Sequence, residues 1–132
     1  MKNKQKILPI DNDDYYLNIC CYIPDGTNYY LYSYSITKNG LIYDSHNGKL
    51  TTQNMRLYDI LYNLLVDALK MALKKNIINV IIQNDRTQII TVLQSLNGEK
   101  IKELLGKFNS VKWSQDNSVD VSKTYALCNK LY

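Results

Sequence analysis

The carboxylates are the side chains of this sequence with the clearest chemical potential. Asp85 closely follows the apolar run Ile77–Ile82, whereas Asp59 and Asp120 stand near the starts of two helical patterns. Aspartate carboxylates can bind Mg²⁺ and other hard cations. An aspartate in front of a helix also serves as an N-cap, which is the alternative for Asp85 before the helix predicted from Thr87.

The thiols and the single imidazole form no comparable pattern. Cys20 and Cys21 are adjacent and Cys128 is remote, a spacing that fits neither a disulfide framework nor a metal site. An odd number of cysteines is compatible with a reducing compartment. We therefore expect buried reduced thiols, a cytoplasmic protein, and a solvated His46.

Length and composition predict one domain. The chain has 132 residues, enough for a single hydrophobic core. The apolar stretch Ile7–Ile10 is too short for a signal peptide, and no stretch approaches the roughly twenty residues of a membrane span. We expect residues 1–14 to form an N-terminal extension, residues 15–132 to form the domain, and no membrane partner. The formal charge of +4 is compatible with phosphate binding, but a lysine-rich solvated surface gives the same charge.

The first part of the chain predicts three antiparallel strands. Turn-forming residues follow the first strand, and an Asn-Gly pair of the kind that favours a two-residue hairpin follows the second. The predicted strands are Tyr15–Ile23, Tyr29–Ile36 and Leu41–Ser45, with a loop over His46–Leu50.

The second part predicts helices around a buried strand. Apolar residues three and four apart indicate a long amphipathic helix over Thr51–Lys75, with Thr51, Thr52 or Asn54 as N-cap and Asn76 as terminator. The run Ile77–Ile82 is typical of a strand covered on both faces, and we expect it to run parallel to the first strand. The remaining predictions are helices over Thr87–Leu96, Glu99–Phe108 and Val119–Leu131, and a strand over Val111–Trp113.

This order of elements resembles the ribonuclease H type 1 fold in a compact form without the basic handle. Three segments carry the resemblance: Thr51–Arg56 resembles the entry to the family's long helix, Val80–Asp85 the strand that delivers a metal-binding aspartate, and Val111–Trp113 the last strand. The resemblance implies an α/β fold with a five-stranded mixed sheet, three strands antiparallel and then two parallel, flanked by helices. A longin- or profilin-like α/β domain is the alternative.

The resemblance also implies four carboxylates around two divalent cations, one to activate water and one to stabilise the leaving oxygen. Only Asp85 meets the pattern. Cys20 or Cys21 stands at the first position; Leu57 or Tyr58 stands at the second, with Asp59 close by; Thr124 or Tyr125 stands at the fourth, preceded by Asp120. We therefore expect a degenerate site, with Asp85 and Asp59 as vestigial catalytic residues and Asp85 and Asp120 as weak metal ligands. No cofactor is expected unless residual cleavage uses Mg²⁺ or Mn²⁺.

Binding does not need the lost acids. By the resemblance, Thr52, Gln53 and Asn54 stand where the family's polar residues contact an RNA/DNA duplex, and we expect Arg86 and Lys112 to meet phosphates. Helix capping and ordinary surface polarity are the alternatives. Three hypotheses follow. The first is a catalytically degenerate module that binds RNA/DNA hybrid or a similar nucleic acid, or acts as an accessory module. The second is a divergent metal-dependent nuclease with a rearranged acid set. The third is a protein-interaction or homodimer scaffold that uses Tyr29–Tyr34.

Overall fold

The computed structural model describes residues 11–51, 55–116 and 118–131. Strands and helices follow one another along these ranges in the order that the sequence predicts. The elements are β1 (Asp11–Tyr22), β2 (Tyr29–Lys38), β3 (Leu41–Thr51), α1 (Leu57–Lys74), β4 (Ile77–Gln83), α2 (Thr87–Ser95), α3 (Glu99–Leu105), β5 (Ser110–Ser114) and α4 (Val119–Asn129).

The strands form one mixed sheet in the order β3-β2-β1-β4-β5. β1, β2 and β3 pair antiparallel, while β4 runs parallel to both β1 and β5. The apolar run at Ile77–Ile82 therefore lies inside the sheet beside β1, as its continuous β-branched pattern predicts. This is the five-stranded α/β arrangement expected from the sequence.

The two faces of the sheet have different characters because side chains alternate along each strand. Leu17 and Ile19 of β1 point into the large core that α1, α2 and α3 cover. Asn18 and Cys20 point to the other face, where α4 packs and several buried side chains are polar. The site described below lies where this polar face reaches the end of β1 and β4.

Helix α1 supplies most of the core on its side of the sheet. Its buried residues recur at the predicted spacing and include Ile60, Leu61, Leu64, Leu65 and Ala68. The residue Asn76 that follows the helix has a φ of 61°, a left-handed conformation that asparagine tolerates, and it ends the helix as predicted. Within the described ranges, no helix combines the length and the apolar character needed to cross a lipid bilayer.

Several boundaries differ from the sequence predictions. β1 begins at Asp11 rather than Tyr15, because the preceding residues continue the parallel pairing with β4. The predicted loop over His46–Leu50 is wrong, since these residues pair with Tyr30–Tyr34 of β2. Gly48 leaves room for the ring of Tyr32, which lies opposite it.

The start of α1 also differs from the prediction. The helix begins at Leu57, and its N-cap is Arg56, whose side chain makes no capping hydrogen bond. Thr51 belongs to β3 and is not the cap. The other two predicted caps, Thr52 and Asn54, lie outside the described residues.

Candidate functional site

A cleft of about 580 Å³ opens at the carboxyl ends of β1 and β4. In open α/β sheets this edge is where ligands usually bind. The end of β1, the turn after it, and the junction between β4 and α2 supply most of the walls. The lining residues are Cys21, Tyr22, Ile23, Pro24, Asp25, Tyr30, Leu57, Arg86, Gln88 and Ile89. We call this feature the carboxyl-end cleft.

Asp85 belongs to a small cluster beside this cleft. It lies close enough to Cys20 of β1 and Tyr125 of α4 for its charge to raise the pKa of both groups. Its Oδ1 atom is buried and accepts no hydrogen bond from the described residues. The guanidinium of Arg86 lies over the Tyr125 ring, 5.1 Å from its centroid. Cys20, Asp85, Arg86 and Tyr125 form what we call the Asp85 cluster.

Burial keeps the thiol and the phenol of this cluster neutral. Desolvation is the main cause that raises the pKa of Cys20 well above its ordinary value, and neighbouring Cys128, Cys21 and Asp85 raise it further. Desolvation also raises the pKa of Tyr125, although a hydrogen bond with Asn84 opposes this shift. The charged groups of the cluster are therefore one carboxylate and one guanidinium.

Asn84 fixes the relative positions of the groups around the cluster. It is fully buried, and its Nδ2 donates to the carbonyl oxygen of Ile19 at 2.7 Å and to the hydroxyl of Tyr125 at 3.1 Å. Its Oδ1 accepts from the backbone N–H of Arg86 at 2.8 Å. One amide thus ties the end of β1, the middle of α4 and the last residue of the β4–α2 junction together.

A network of polar side chains continues below the cluster, between the sheet and α4. Asn18 donates to Ser35 at 3.2 Å and to Thr37 at 3.0 Å, and it accepts from Gln83 at 2.7 Å. Thr37 in turn donates to Asp120 at 2.8 Å. Asn18, Ser35, Thr37 and Gln83 are buried, so these hydrogen bonds replace much of the water that the side chains lose on folding. The Oε1 atom of Gln83 has no hydrogen-bond partner among the described residues.

Comparison with known proteins gives a fold but no family. No protein-family model matches the sequence, and no curated protein matches it. Among solved structures, ribonuclease H1 from the archaeon Halobacterium salinarum aligns with a TM-score of 0.65 and 13% identity, over 89% of this chain and 96% of that chain. The N-terminal ribonuclease H domain of a Mycobacterium tuberculosis protein, solved as a fusion with maltose-binding protein, aligns with a TM-score of 0.64 and 10% identity, over 89% and 98%. The chain has a ribonuclease H-like fold.

At these identities the likeness concerns the fold, and the chemistry must be judged from the side chains. The ribonuclease H-like fold replaces the longin- or profilin-like alternative. Mg²⁺ and Mn²⁺, the cations considered in the sequence analysis, require several oxygen ligands that converge. Asp85 offers the buried Oδ1 atom, but its neighbours Cys20 and Tyr125 are neutral. Among the described residues, no three His, Cys, Asp or Glu side chains are grouped to hold a metal ion. Within the described ranges, the residues do not fit a two-cation site.

The other predicted acids make different contacts within the ribonuclease H-like fold. Asp59 lies in the first turn of α1, exposed, where its Oδ2 pairs with Nε of Arg56 at 3.3 Å. Asp120 lies in the first turn of α4 and accepts the hydrogen bond from Thr37. Asp85 does not cap α2, because the N-cap of that helix is Arg86.

The predicted nucleic-acid contacts fall in three places. Thr52, Gln53 and Asn54 lie outside the described residues. Arg86 lines the carboxyl-end cleft. Lys112 of β5 is exposed and pairs with Asp14 at 3.9 Å, and it is not part of the cleft lining.

The remaining predictions concern thiols and tyrosines. The cysteines of the described chain are all free and buried, which confirms the expected reduced thiols. His46 is exposed, as predicted, and lies near the rings of Tyr32 and Tyr34. Tyr34 is buried in the core and its strand lies inside the sheet. Tyr29–Tyr34 therefore do not form the continuous exposed aromatic surface that the scaffold hypothesis uses.

For several residues of the site, nothing in the sequence indicates a functional role. Asn84 reads there as an ordinary strand terminator, although it organises the Asp85 cluster. Tyr22, Tyr30 and Gln88 of the cleft belong to three separate elements, so only the strand order brings them together. Their one shared cue is position, because each stands near the start or end of an element on the carboxyl side of β1 and β4.

Proposed function

We propose that this protein binds nucleic acid, an RNA/DNA hybrid or a similar duplex, as a catalytically degenerate ribonuclease H-like module. The proposal rests mainly on the composition of the Asp85 cluster. A neutral thiol and a neutral phenol stand beside the single carboxylate, and a guanidinium follows it directly. A cytoplasmic location stays a prediction, which the buried free thiols support.

The charge of the cluster favours phosphate over metal ions. Four carboxylates repel a phosphodiester and need divalent cations between them and the substrate. Here Asp85 and Arg86 carry opposite charges, so a phosphate group can approach without bridging cations. The formal charge of the chain, +4, also favours encounter with a polyanion. Binding is therefore expected without Mg²⁺.

Arg86 is the cleft residue best suited to meet a phosphate. Its planar guanidinium can donate two parallel hydrogen bonds to phosphate oxygens. The Tyr125 ring lies under that guanidinium, and the backbone N–H of Arg86 donates a hydrogen bond to the side chain of Asn84. The cation is thus partly positioned before any ligand arrives, which lowers the entropic cost of binding.

The test is fluorescence anisotropy with a labelled RNA/DNA hybrid in low salt and EDTA. We expect the Arg86→Ala protein to bind the hybrid about tenfold more weakly than the unmodified protein, because one charge-assisted contact is lost. The dependence of the logarithm of affinity on the logarithm of salt concentration should also become shallower by about one.

The matched control is Lys107→Ala. Lys107 is exposed and is not part of the cleft lining, so its removal changes net charge equally and should change affinity little. A thermal melt of the Arg86→Ala protein separates lost binding from lost folding. Equal weakening by both substitutions, or no complex of any variant at low salt, would contradict the proposal.

A divergent metal-dependent nuclease is the second candidate, and one observation favours it. The Oδ1 atom of Asp85 is buried without a hydrogen-bond donor among the described residues, and such an oxygen is available to a cation. Incubation of labelled hybrid with Mn²⁺ tests this candidate. Cleavage that Asp85→Asn abolishes would establish a nuclease, whereas our proposal expects intact hybrid and Asp85→Asn binding at least as tight as that of the unmodified protein.

A further inference from the structure

Two adjoining hollows lie between the start of β3 and the last turns of α1, outside the carboxyl-end cleft. Their volumes are about 510 Å³ and 400 Å³. Asp44, Met71 and Lys74 line both, so the two form one continuous depression. Each is within the size range of small-ligand sites.

The first hollow has a largely apolar wall. Tyr15, Tyr43, Met71 and Ile77 contribute to its lining. The rings of Tyr15 and Tyr43 meet edge to face, with centroids 5.5 Å apart and planes at 85°. Tyr15 is 6% exposed and Tyr43 is 48% exposed, so a buried ring supports one that remains open to a ligand. An aromatic wall of this kind suits a flat heterocycle.

The rim of the first hollow supplies a polar group. Asp44 lies there, and its Oδ2 pairs with Nζ of Lys75 at 3.5 Å. A carboxylate has lone pairs beyond those used by one ammonium. Asp44 can therefore also accept a hydrogen bond from an exocyclic amino group of a heterocycle seated against Tyr43.

The second hollow is suited to an anion. Lys70, Lys74, Ser45 and His46 contribute to its lining, together with Asp67. Lys70 and Lys74 are exposed, and neither forms an ion pair within the part of the chain that the structure describes. Asp44 also lines this hollow, but its carboxylate pairs with Lys75. The two ammonium groups therefore face Asp67 as the remaining carboxylate and can turn toward a phosphate.

We propose that this depression binds a nucleoside phosphate whose base carries an amino group, as in adenosine monophosphate. The base lies in the first hollow against Tyr43 with Asp44 as acceptor, and the phosphate lies in the second hollow near Lys70 and Lys74. The site adjoins Ile77, the first residue of β4, whereas the carboxyl-end cleft lies at the opposite end of that strand. The inference is therefore independent of the proposed function.

The test is a titration of the full chain with adenosine monophosphate, followed by amide chemical shifts in NMR. We expect saturable shifts at Tyr43, Asp44, Met71 and Lys74. Tyr43→Ala and Lys74→Ala should each weaken binding about fivefold to tenfold, through loss of stacking and of a charge-assisted contact respectively. Lys107→Ala, which removes an exposed lysine elsewhere, should leave the affinity unchanged.

Other probes decide the ligand class and its source. Uridine monophosphate should bind more weakly because its base offers Asp44 no amino group, and ribose 5-phosphate should bind more weakly still. If the 5′-phosphorylated oligonucleotide causes shifts and the free nucleotide causes none, the ligand is the end of a nucleic-acid strand. If both cause shifts, the site accepts the nucleoside phosphate from either source. Absence of shifts with all nucleotides, or equal affinity for ribose 5-phosphate, inorganic phosphate or uridine monophosphate, would overturn the proposal.

Discussion

At the scale of single residues, protonation decides what the buried thiols can do. Burial raises the pKa of Cys21 from 9.0 to about 12. Burial also raises the pKa of Cys20 well above its ordinary value, and the neighbouring groups raise that pKa further. A protonated thiol is neither a nucleophile nor a metal ligand near neutral pH. The two cysteines at the end of β1 therefore act as packing residues, and the charge of the site depends on Asp85 and Arg86.

The raised pKa of Cys21 predicts a loss of stability in alkali. Below pH 9 the thiol is protonated in both states. Between pH 9 and pH 12 the unfolded chain releases this proton and the folded chain retains it, so the free energy of unfolding falls as pH rises. By about pH 10.5 the loss from Cys21 alone is on the order of 2 kcal/mol. Urea denaturation at several pH values measures it.

The comparison variant is Cys21→Ala, which has no proton to release at this position. Its free energy of unfolding starts lower because the core loses volume, but it should decline less steeply above pH 9. Parallel declines for the two proteins would show that Cys21 does not carry the effect.

At the scale of elements, the packing of α4 on the sheet differs from ordinary apolar packing. Val121, Thr124 and Cys128 are its buried residues, and Thr124 contacts Ser35 across the interface at 2.7 Å. Hydrogen bonds and the small apolar cluster of Leu31, Val121 and Cys128 together fix where α4 sits. Because α4 carries Tyr125, this polar interface also positions one wall of the Asp85 cluster.

Removal of Asn18 should destabilise this interface. Asn18→Ala deletes two donated hydrogen bonds and leaves the buried Gln83 amide without one of its acceptors. Unsatisfied buried polar groups cost about 1–3 kcal/mol each, so we expect a loss of about 2–4 kcal/mol in the free energy of unfolding, measured in urea. Asn97→Ala, at an exposed position, should change stability by less than about 0.5 kcal/mol. Similar small effects of both substitutions would contradict this role of the network.

Elements with a repeating apolar pattern could be predicted from the sequence, and polar ones could not. The apolar residues of Ile77–Ile82 and of α1 repeat with a spacing that indicates a strand and a helix respectively. Asn39 and Gly40 adopt the positive φ values that their hairpin requires. The sequence predicts a loop for the second half of β3 because its residues are mostly polar. An edge strand needs no apolar alternation once β2 supplies its backbone partners, so these residues form a strand.

The candidate site could be predicted only in part. Asp85, Arg86 and the residues at the lost acid positions follow from order along the chain. The contacts of Asn84 with Ile19 and Tyr125 depend on strand order and on the placement of α4. No local pattern encodes them, because they join residues that are distant in sequence.

At the scale of the whole molecule, two depressions lie toward opposite ends of β4. The carboxyl-end cleft contains Arg86 beside the single carboxylate of the Asp85 cluster, and the second depression contains lysines and tyrosines. We propose that the charge of the Asp85 cluster suits a phosphate directly.

Anisotropy of a labelled RNA/DNA hybrid, titrated once in EDTA and once in Mg²⁺, tests this claim most directly. Because the proposed contacts use Arg86 and no bridging cation, we expect a complex in EDTA. Mg²⁺ should leave its affinity equal or, through screening of the phosphates, slightly weaker, and the hybrid should remain intact. A complex that forms only with Mg²⁺, or a hybrid that is cut once Mg²⁺ is present, would contradict the account.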